Sequence, residues 1–419
     1  MPYSFRVATD RRQFLVRTGL ALAAAGYGDL LRAPAAEGST RPGWGQVRAQ
    51  FDLDRRWVHL GGLLLASHPA PVQRAIEMHR RGLDRNPVRY LHGRQTELEA
   101  AVVREAAAYL GAQAEDIALT DSTTMGLGLV YNGIGLKPGD DVLTTTHDFF
   151  ATHEALRLKA ERTGAAVRQV ALYDRPQDAT EEAIVGRVAS ALRPRTRVLA
   201  LTWVHSSTGV KLPIRRIAAA ARRASPNVLV CVDGVHALGV EDVRVGQLGC
   251  DFLVAGCHKW LFGPRGTGIV WGSARGWAAV EPTIPSFTGS ASPAAAFTPG
   301  GFHSFEHRWA LAQAFAFHRS IGKARVARRI QDLNGRLKRG LAALDHVTLY
   351  TPHSAALSAG LVCFDVGGLD PGEVVAHLER RRIVATVTPY RTSYARLAPG
   401  LLNSGADVDA AVRAIRGLR

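Results

Sequence analysis

Val228-Leu-Val-Cys-Val-Asp233-Gly-Val-His236 and Asp251-Phe-Leu-Val-Ala-Gly-Cys257-His258-Lys259-Trp260 decide how this chain is read. Each is a short apolar run that stops at ionisable side chains. A run apolar on both faces suits a strand inside a parallel sheet, covered by helices above and below. Outward from the pair the same rhythm repeats. Short β-branched runs stand at Ile117 to Thr120, Asp141 to Thr146, Ala165 to Leu172, Arg197 to Val204 and Gly268 to Trp271. Helical patterns lie between them, including Ala151 to Arg162 and Ile214 to Arg223, the latter stopped by Ser225-Pro226-Asn227. This alternation predicts an α/β fold, doubly wound around a mostly parallel seven-stranded sheet. Ligands of such sheets collect outside the carboxyl ends of the strands.

The rhythm breaks at Glu281 to Gly301, a Pro-, Ser- and Ala-rich stretch that predicts a long loop. Beyond it, helical patterns from Arg308 to about Ala343, a strand at Leu361 to Val366, a helix at Pro371 to Arg381, a strand at Ile383 to Thr388 and a helix from Asp407 predict a small C-terminal α+β domain. The organisation expected is a large domain over residues 55–305 and a small one over 306–419. Early helices around Pro71 to Asp84 and Arg94 to Leu110 suit either. A length of 419 residues exceeds one ordinary core, and 47% hydrophobic with 21% charged residues argues against extended disorder. The net charge of +16 is scattered through helical stretches, with no basic block and no aromatic interleaving, so it reads as a solvated surface and no nucleic acid is expected as partner. Cys231, Cys250, Cys257 and Cys363 match no zinc spacing and read as buried thiols, so no metal is expected.

At the amino terminus, Asp10-Arg11-Arg12-Gln13-Phe14-Leu15 precedes a modest apolar run from Val16 to Ala25, and Ala33-Pro34-Ala35 offers small residues for cleavage. That order resembles a twin-arginine export signal over residues 1–36, with a periplasmic or extracellular destination. The competing reading is an amphipathic first helix with a chance arginine pair and a cytoplasmic protein. No later apolar stretch reaches the ~18 residues of a membrane span.

Chemistry concentrates at the strand ends. Asp233 closes one strand and Lys259 follows the next, before the glycine-rich Phe262-Gly-Pro-Arg-Gly-Thr-Gly268. A carboxylate there is what the ring nitrogen of pyridoxal 5'-phosphate (PLP) requires, because a protonated ring accepts electrons released at a substrate α-carbon. A lysine partly withdrawn from water near other cations has a lowered pKa and serves as nucleophile and proton carrier. Alone, such an Asp is often a turn former and such a Lys a solvated charge; at adjacent strand ends the two together are more specific. In Leu119-Thr-Asp-Ser-Thr123-Thr124-Met-Gly-Leu-Gly128 a strand runs into hydroxyl residues that open a helix, which suits a phosphate dianion as well as plain N-capping. Gly126-x-Gly128 lacks the third glycine of a dinucleotide site.

With these parts in order, the chain resembles fold-type I PLP enzymes of the class V aminotransferase superfamily, in the isopenicillin N epimerase-like and cysteine desulfurase-like branch, over roughly residues 55–415. The likeness is carried by Thr123-Thr124, Thr146-His147-Asp-Phe-Phe-Ala-Thr-His153-Glu, Asp233-Gly-Val-His236, His258-Lys259 and Tyr394-Ala-Arg396-Leu-Ala-Pro, with the wording around His147 and Asn86-Pro87 nearest the epimerases. The resemblance implies that Lys259 is the Schiff-base lysine, Asp233 the partner of the pyridine nitrogen, and Thr123, Thr124 and His258 the phosphate ligands. It implies His147 stacked on the ring, against a core or metal-ligand histidine, His236 and Ser206 near the phenolic oxygen, and Arg396 on the substrate α-carboxylate, where a planar fork outdoes Lys. It also implies a homodimer and a small amino-acid substrate.

Three departures bear on function. Gly256 stands where many relatives have a phosphate-binding Ser. Phe305-Glu306-His307-Arg308-Trp309 differs from the desulfurase Phe-Glu-x-Gly-Thr, whose Thr reaches the partner subunit's phosphate. The stretch from Ala385 to Ser393, matching the desulfurase loop of the nucleophilic Cys, holds none, which argues against persulfide chemistry. The activity expected is an epimerase-like or aminotransferase-like reaction at an amino-acid α-carbon. The alternatives are a C–S or other β-lyase on a thioether amino acid and, in another class, a non-catalytic binding protein on the same fold, which intact Lys259 and Asp233 oppose.

Overall fold

The structure is a computed structural model that describes residues 41–287 and 291–418. The export signal expected at residues 1–36 lies outside the described residues. Along the chain the strands are β1 (Val58–His59), β2 (Ile117–Thr120), β3 (Asp141–Thr145), β4 (Ala166–Val170), β5 (Thr196–Thr202), β6 (Leu229–Asp233), β7 (Phe252–Gly256), β8 (Gly268–Gly272), β9 (Val347–Leu349), β10 (Val362–Val366), β11 (Ile383–Val384), β12 (Thr386–Val387) and β13 (Ala395–Leu397).

β2 to β8 form one sheet in the order β2-β8-β7-β6-β5-β3-β4. β3 to β7 run parallel to their neighbours among themselves, and β8 runs antiparallel to both β2 and β7. All seven strands read from the sequence are present. β6 and β7 are buried at every position, as their continuous apolar runs demand. β4 sits at the edge with no fully buried residue. Its Arg168 reaches across to Asp141 on β3 through two hydrogen bonds of 2.7 and 2.6 Å, and Thr196 on β5 donates to the same carboxylate at 2.7 Å. Those contacts lock three strands together at the amino-terminal edge, opposite the edge where ligands gather.

Helices Ala70–Arg85, Pro87–Leu110 and Phe305–Ile321 pack together beside this sheet. The sequence pattern assigned the last of these to the small lobe, but its Leu311, Phe315 and Ile321 lie in the same apolar core as Val72 and Val102. The helical patterns expected from Arg308 to about Ala343 are two helices that part at Gly322, whose φ of 95° no helix tolerates. The second core starts beyond that break. Leu333, Leu337 and Leu341 of helix Lys323–Ala342 meet Phe364 of β10 and Val408 and Ile415 of helix Gly405–Arg416. Burying each such side chain is worth roughly 2 kcal/mol. β12, β13, β10 and β9 make an antiparallel sheet there, and β11 pairs in parallel with β1. Among the described residues no helix is long and apolar enough to cross a membrane.

Candidate active site

A cavity of about 200 Å³ opens where the carboxyl ends of β5, β6 and β7 meet the start of helix Thr123–Gly133. Eight of the nine residues singled out in the sequence line it: Thr123, Thr124, Ser206, Asp233, His236, His258, Lys259 and Arg396. They come from both lobes, because Arg396 is delivered by β13.

Asp233 is 4% exposed, and Oδ1 accepts one hydrogen bond from the Val235 amide at 3.0 Å. Burial raises its pKa to about 6 against the pull of that amide and of Lys259. A carboxylate held this way is short of positive charge, which a protonated ring nitrogen supplies. Lys259 faces the same cavity, and desolvation pushes its amine down to about 8, with Asp233 resisting and Arg396 adding to the fall. Its Nζ lies 3.5 Å from His236 Nε2.

The other end of the cavity suits a dianion. Ser122 caps the helix by accepting from the Met125 amide at 3.1 Å, so the helix opens with the Thr123 and Thr124 amides turned to the cavity end and the positive pole of its dipole behind them. Thr123 Oγ1 accepts from the Gly256 amide at 2.7 Å, which leaves its own O–H to donate. A Cβ on residue 256 would stand 3.1 Å from both His258 Cε1 and Thr123 Oγ1. The glycine is thus explained: Thr123 and His258 close over the place where a serine would stand.

Arg396 is 1% exposed. Its Nη1 donates to the Ser206 carbonyl at 2.7 Å and its Nε to Thr386 Oγ1 at 3.0 Å. Among the described residues no carboxylate comes within ion-pairing distance of it, and burial lowers its pKa. A buried guanidinium with only neutral partners is costly until an anion arrives, so this wall of the cavity favours negative charge.

His147 is not brought to the cavity. It stacks on Tyr173, with ring centroids 3.9 Å apart and 13° between planes, and its Nε2 accepts from the Leu172 amide at 3.1 Å. Burial pushes it down to about 3, with His205 adding. The turn after β3 explains the displacement. Asp148 is pinned by Thr144 Oγ1 and the Thr145 amide, both at 2.8 Å, and by the Thr202 amide at 2.6 Å. Around that fixed point His147 turns toward Tyr173 and Phe149 lines the cavity. A flat apolar ring is therefore present at the wall, two residues later than the resemblance implied.

Two further residues escaped the sequence reading. Tyr390 places its hydroxyl 2.6 Å from Ser206 Oγ, and its ring lies 6.2 Å from that of Phe149 at 71°. Trp260 donates from its indole to His236 Nδ1 at 3.3 Å. The only signal for either was position, Tyr390 within the loop matched to desulfurases and Trp260 directly after Lys259. The four cysteines are all buried and none lines the cavity; burial raises Cys363 to about 12.

The family model for class-V aminotransferases matches residues 66–389. The chain belongs to the class-V aminotransferase family. It is a PLP-dependent enzyme of that family. Isopenicillin N epimerase of Streptomyces clavuligerus is 28% identical to it over 365 residues, 82% of this chain and 90% of the relative. Cysteine desulfurase of Serratia proteamaculans is 31% identical over 240 residues, 54% of this chain and 57% of the relative. A solved structure of a C-DES mutant with glycine covalently linked to its PLP cofactor matches with a TM-score of 0.82 at 22% identity, over 88% of this chain and 99% of that one. Cysteine desulfurase from Thermococcus onnurineus NA1 matches at a TM-score of 0.80 and 21% identity, over 91% and 98%. The fold is that of fold-type I PLP enzymes. The residues of this class-V site fit the cofactor: a buried acid with its pKa raised and a single amide donor on its carboxylate, an amine whose pKa desolvation lowers, and a helix start closed by a hydroxyl.

Proposed function

We propose that this enzyme acts at the α-carbon of an amino acid, as an epimerase or an aminotransferase does. The observation that carries the reading is the convergence of Lys259, Asp233 and the anion-seeking Arg396 on one cavity. Bound PLP supplies an electron sink for the substrate α-carbon. Lys259 would hold the cofactor, Asp233 would pair with its ring nitrogen, Thr123, Thr124 and His258 would hold its phosphate, His236 and Ser206 would serve its phenolic oxygen, and Phe149 would wall its ring. Arg396 receives the substrate carboxylate and so turns the α-hydrogen toward Lys259, whose Nζ takes up and returns the proton. Matches to isopenicillin N epimerases over most of both chains support this reading.

A second reading, a C–S or other β-lyase on a thioether amino acid, is supported by the relatives named cysteine desulfurase. The stretch from Ala385 to Ser393 carries no thiol, which sets either reading apart from forming a persulfide on a cysteine of that loop. Incubating the PLP-loaded protein with L- and D-amino acids in deuterated water separates the readings. The expected result is deuterium at the α-carbon, with inversion or an oxo acid as product. Release of pyruvate and ammonia from thioether substrates, without α-exchange in the recovered substrate, would overturn it in favour of the lyase.

A further inference from the structure

The indole of Trp260 bridges the active site and the C-terminal lobe. Its N–H points at His236 Nδ1, 3.3 Å away, with both side chains buried. Its six-membered ring is bedded between two glycines of that lobe. A Cβ on Gly360 would come 2.9 Å from Trp260 Cζ2, and one on Gly400 would come 3.3 Å from Cζ3. Gly360 has a φ of 68°, a conformation that already favours glycine. These glycines lie just before β10 and just after β13, so the lobe that delivers Arg396 also fixes where the indole N–H points.

We propose that Trp260 is a positioning residue that holds His236 in the tautomer presenting Nε2–H to the atom that carries the cofactor. An indole nitrogen only donates, and a neutral imidazole has one donor and one acceptor nitrogen. With Nδ1 accepting from Trp260, the imidazole proton sits on Nε2. That nitrogen lies 3.5 Å from Lys259 Nζ. The doubly protonated ring is disfavoured twice, because Nδ1–H would confront the indole N–H and because burial, Lys259, Arg396 and His258 all oppose a further charge, while Asp233 is the one acid among the described residues that line the cavity. An oxygen anion beside Nζ, such as the phenolic oxygen next to the carbon of PLP that binds lysine, therefore meets a donor. In the other tautomer it would meet a lone pair.

The inference rests on the cofactor site and holds whichever reaction runs there. Its test uses Trp260→Phe, which keeps the aromatic bulk and removes the N–H. In the cofactor-free wild type, nitrogen NMR of the imidazoles, with the His236 signal assigned by its loss in His236→Gln, is expected to show Nδ1 bare and Nε2 protonated. In Trp260→Phe the two tautomers should mix. In the PLP-loaded protein a donor beside the phenolic oxygen favours loss of the proton from the Lys259-bound nitrogen. The pH midpoint of the visible band should therefore rise by about one unit in Trp260→Phe. With glutamine at 236 there is no tautomer to fix, so adding Trp260→Phe to His236→Gln should move the midpoint no further. A wild-type His236 protonated on Nδ1 overturns the proposal even if Trp260→Phe fails to fold. An unmoved midpoint in the folded single variant, or a shift that persists in the double variant, overturns it as well.

Discussion

Lys259, beyond the tip of β7, and Lys338, on helix Lys323–Ala342, are both withdrawn from bulk water, and desolvation pushes both amines down to about 8. Their surroundings differ. Lys338 Nζ donates to the Pro352 carbonyl at 2.8 Å, the His353 carbonyl at 2.8 Å and Ser358 Oγ at 2.7 Å, which uses every hydrogen an ammonium has. Among the described residues Lys259 Nζ has one hydrogen-bonding neighbour, His236 Nε2 at 3.5 Å. Burial alone therefore does not make a lysine reactive. Lys338 is a staple between its helix and the loop ahead of β10, whereas Lys259 is an amine kept from water and left with open valences toward a cavity.

The sharpest way to break this contrast is Lys259→Ala. Borohydride treatment of the PLP-loaded wild type should fix the cofactor on the peptide containing Lys259, and the variant should show no such label. Its turnover should fall at least about a thousand-fold, since nucleophile and proton carrier go together. Fixation on Lys338 instead would end the comparison. Lys338→Met should do the opposite. It strands two carbonyls and a hydroxyl in the interior, at a cost of about 3 kcal/mol in urea unfolding, while labelling at Lys259 continues. The smallest effect sharpens the comparison through pH. The neutral amine is the nucleophile, so the rate at which cofactor-free protein captures PLP should rise with pH to a half-maximum near 8, where desolvation sets Lys259. Because the folded-state value lies below the unfolded 10.5, protonation of Lys259 disfavours the fold, and this penalty lifts between about 8 and 10.5. A capture midpoint near 10.5 would show that the amine is not desolvated.

The sheet was legible because β6 and β7 each write their depth as an unbroken apolar run and their exit as a charge. The same property exposed Asp233 and Lys259, whose place at a carboxyl edge follows from strand direction alone. Ring orientation was not legible in this way. Whether His147 or Phe149 faces the cavity turns on Asp148, which is tied to the Thr202 amide on another strand. Tyr390 and Ser206 meet across 184 positions, so nothing local marks the pair. The lobe boundary was misplaced for a related reason: helix Phe305–Ile321 has apolar residues enough for either core, and only packing assigned it to the first.

The reversed strand β8 has a mechanical consequence. Since it returns beside β7 without a crossover helix, the segment bearing Lys259 is the long loop of a hairpin, cinched by Cys257 N–H to the Thr267 carbonyl at 2.9 Å and Gly263 N–H to the Cys257 carbonyl at 2.8 Å. Phe262 turns the corner at a left-handed φ of 59°. The main chain under the lysine is thus a rigid mast, and the amine swings only on its own four carbons, its reach set by torsions and its anchor by the sheet.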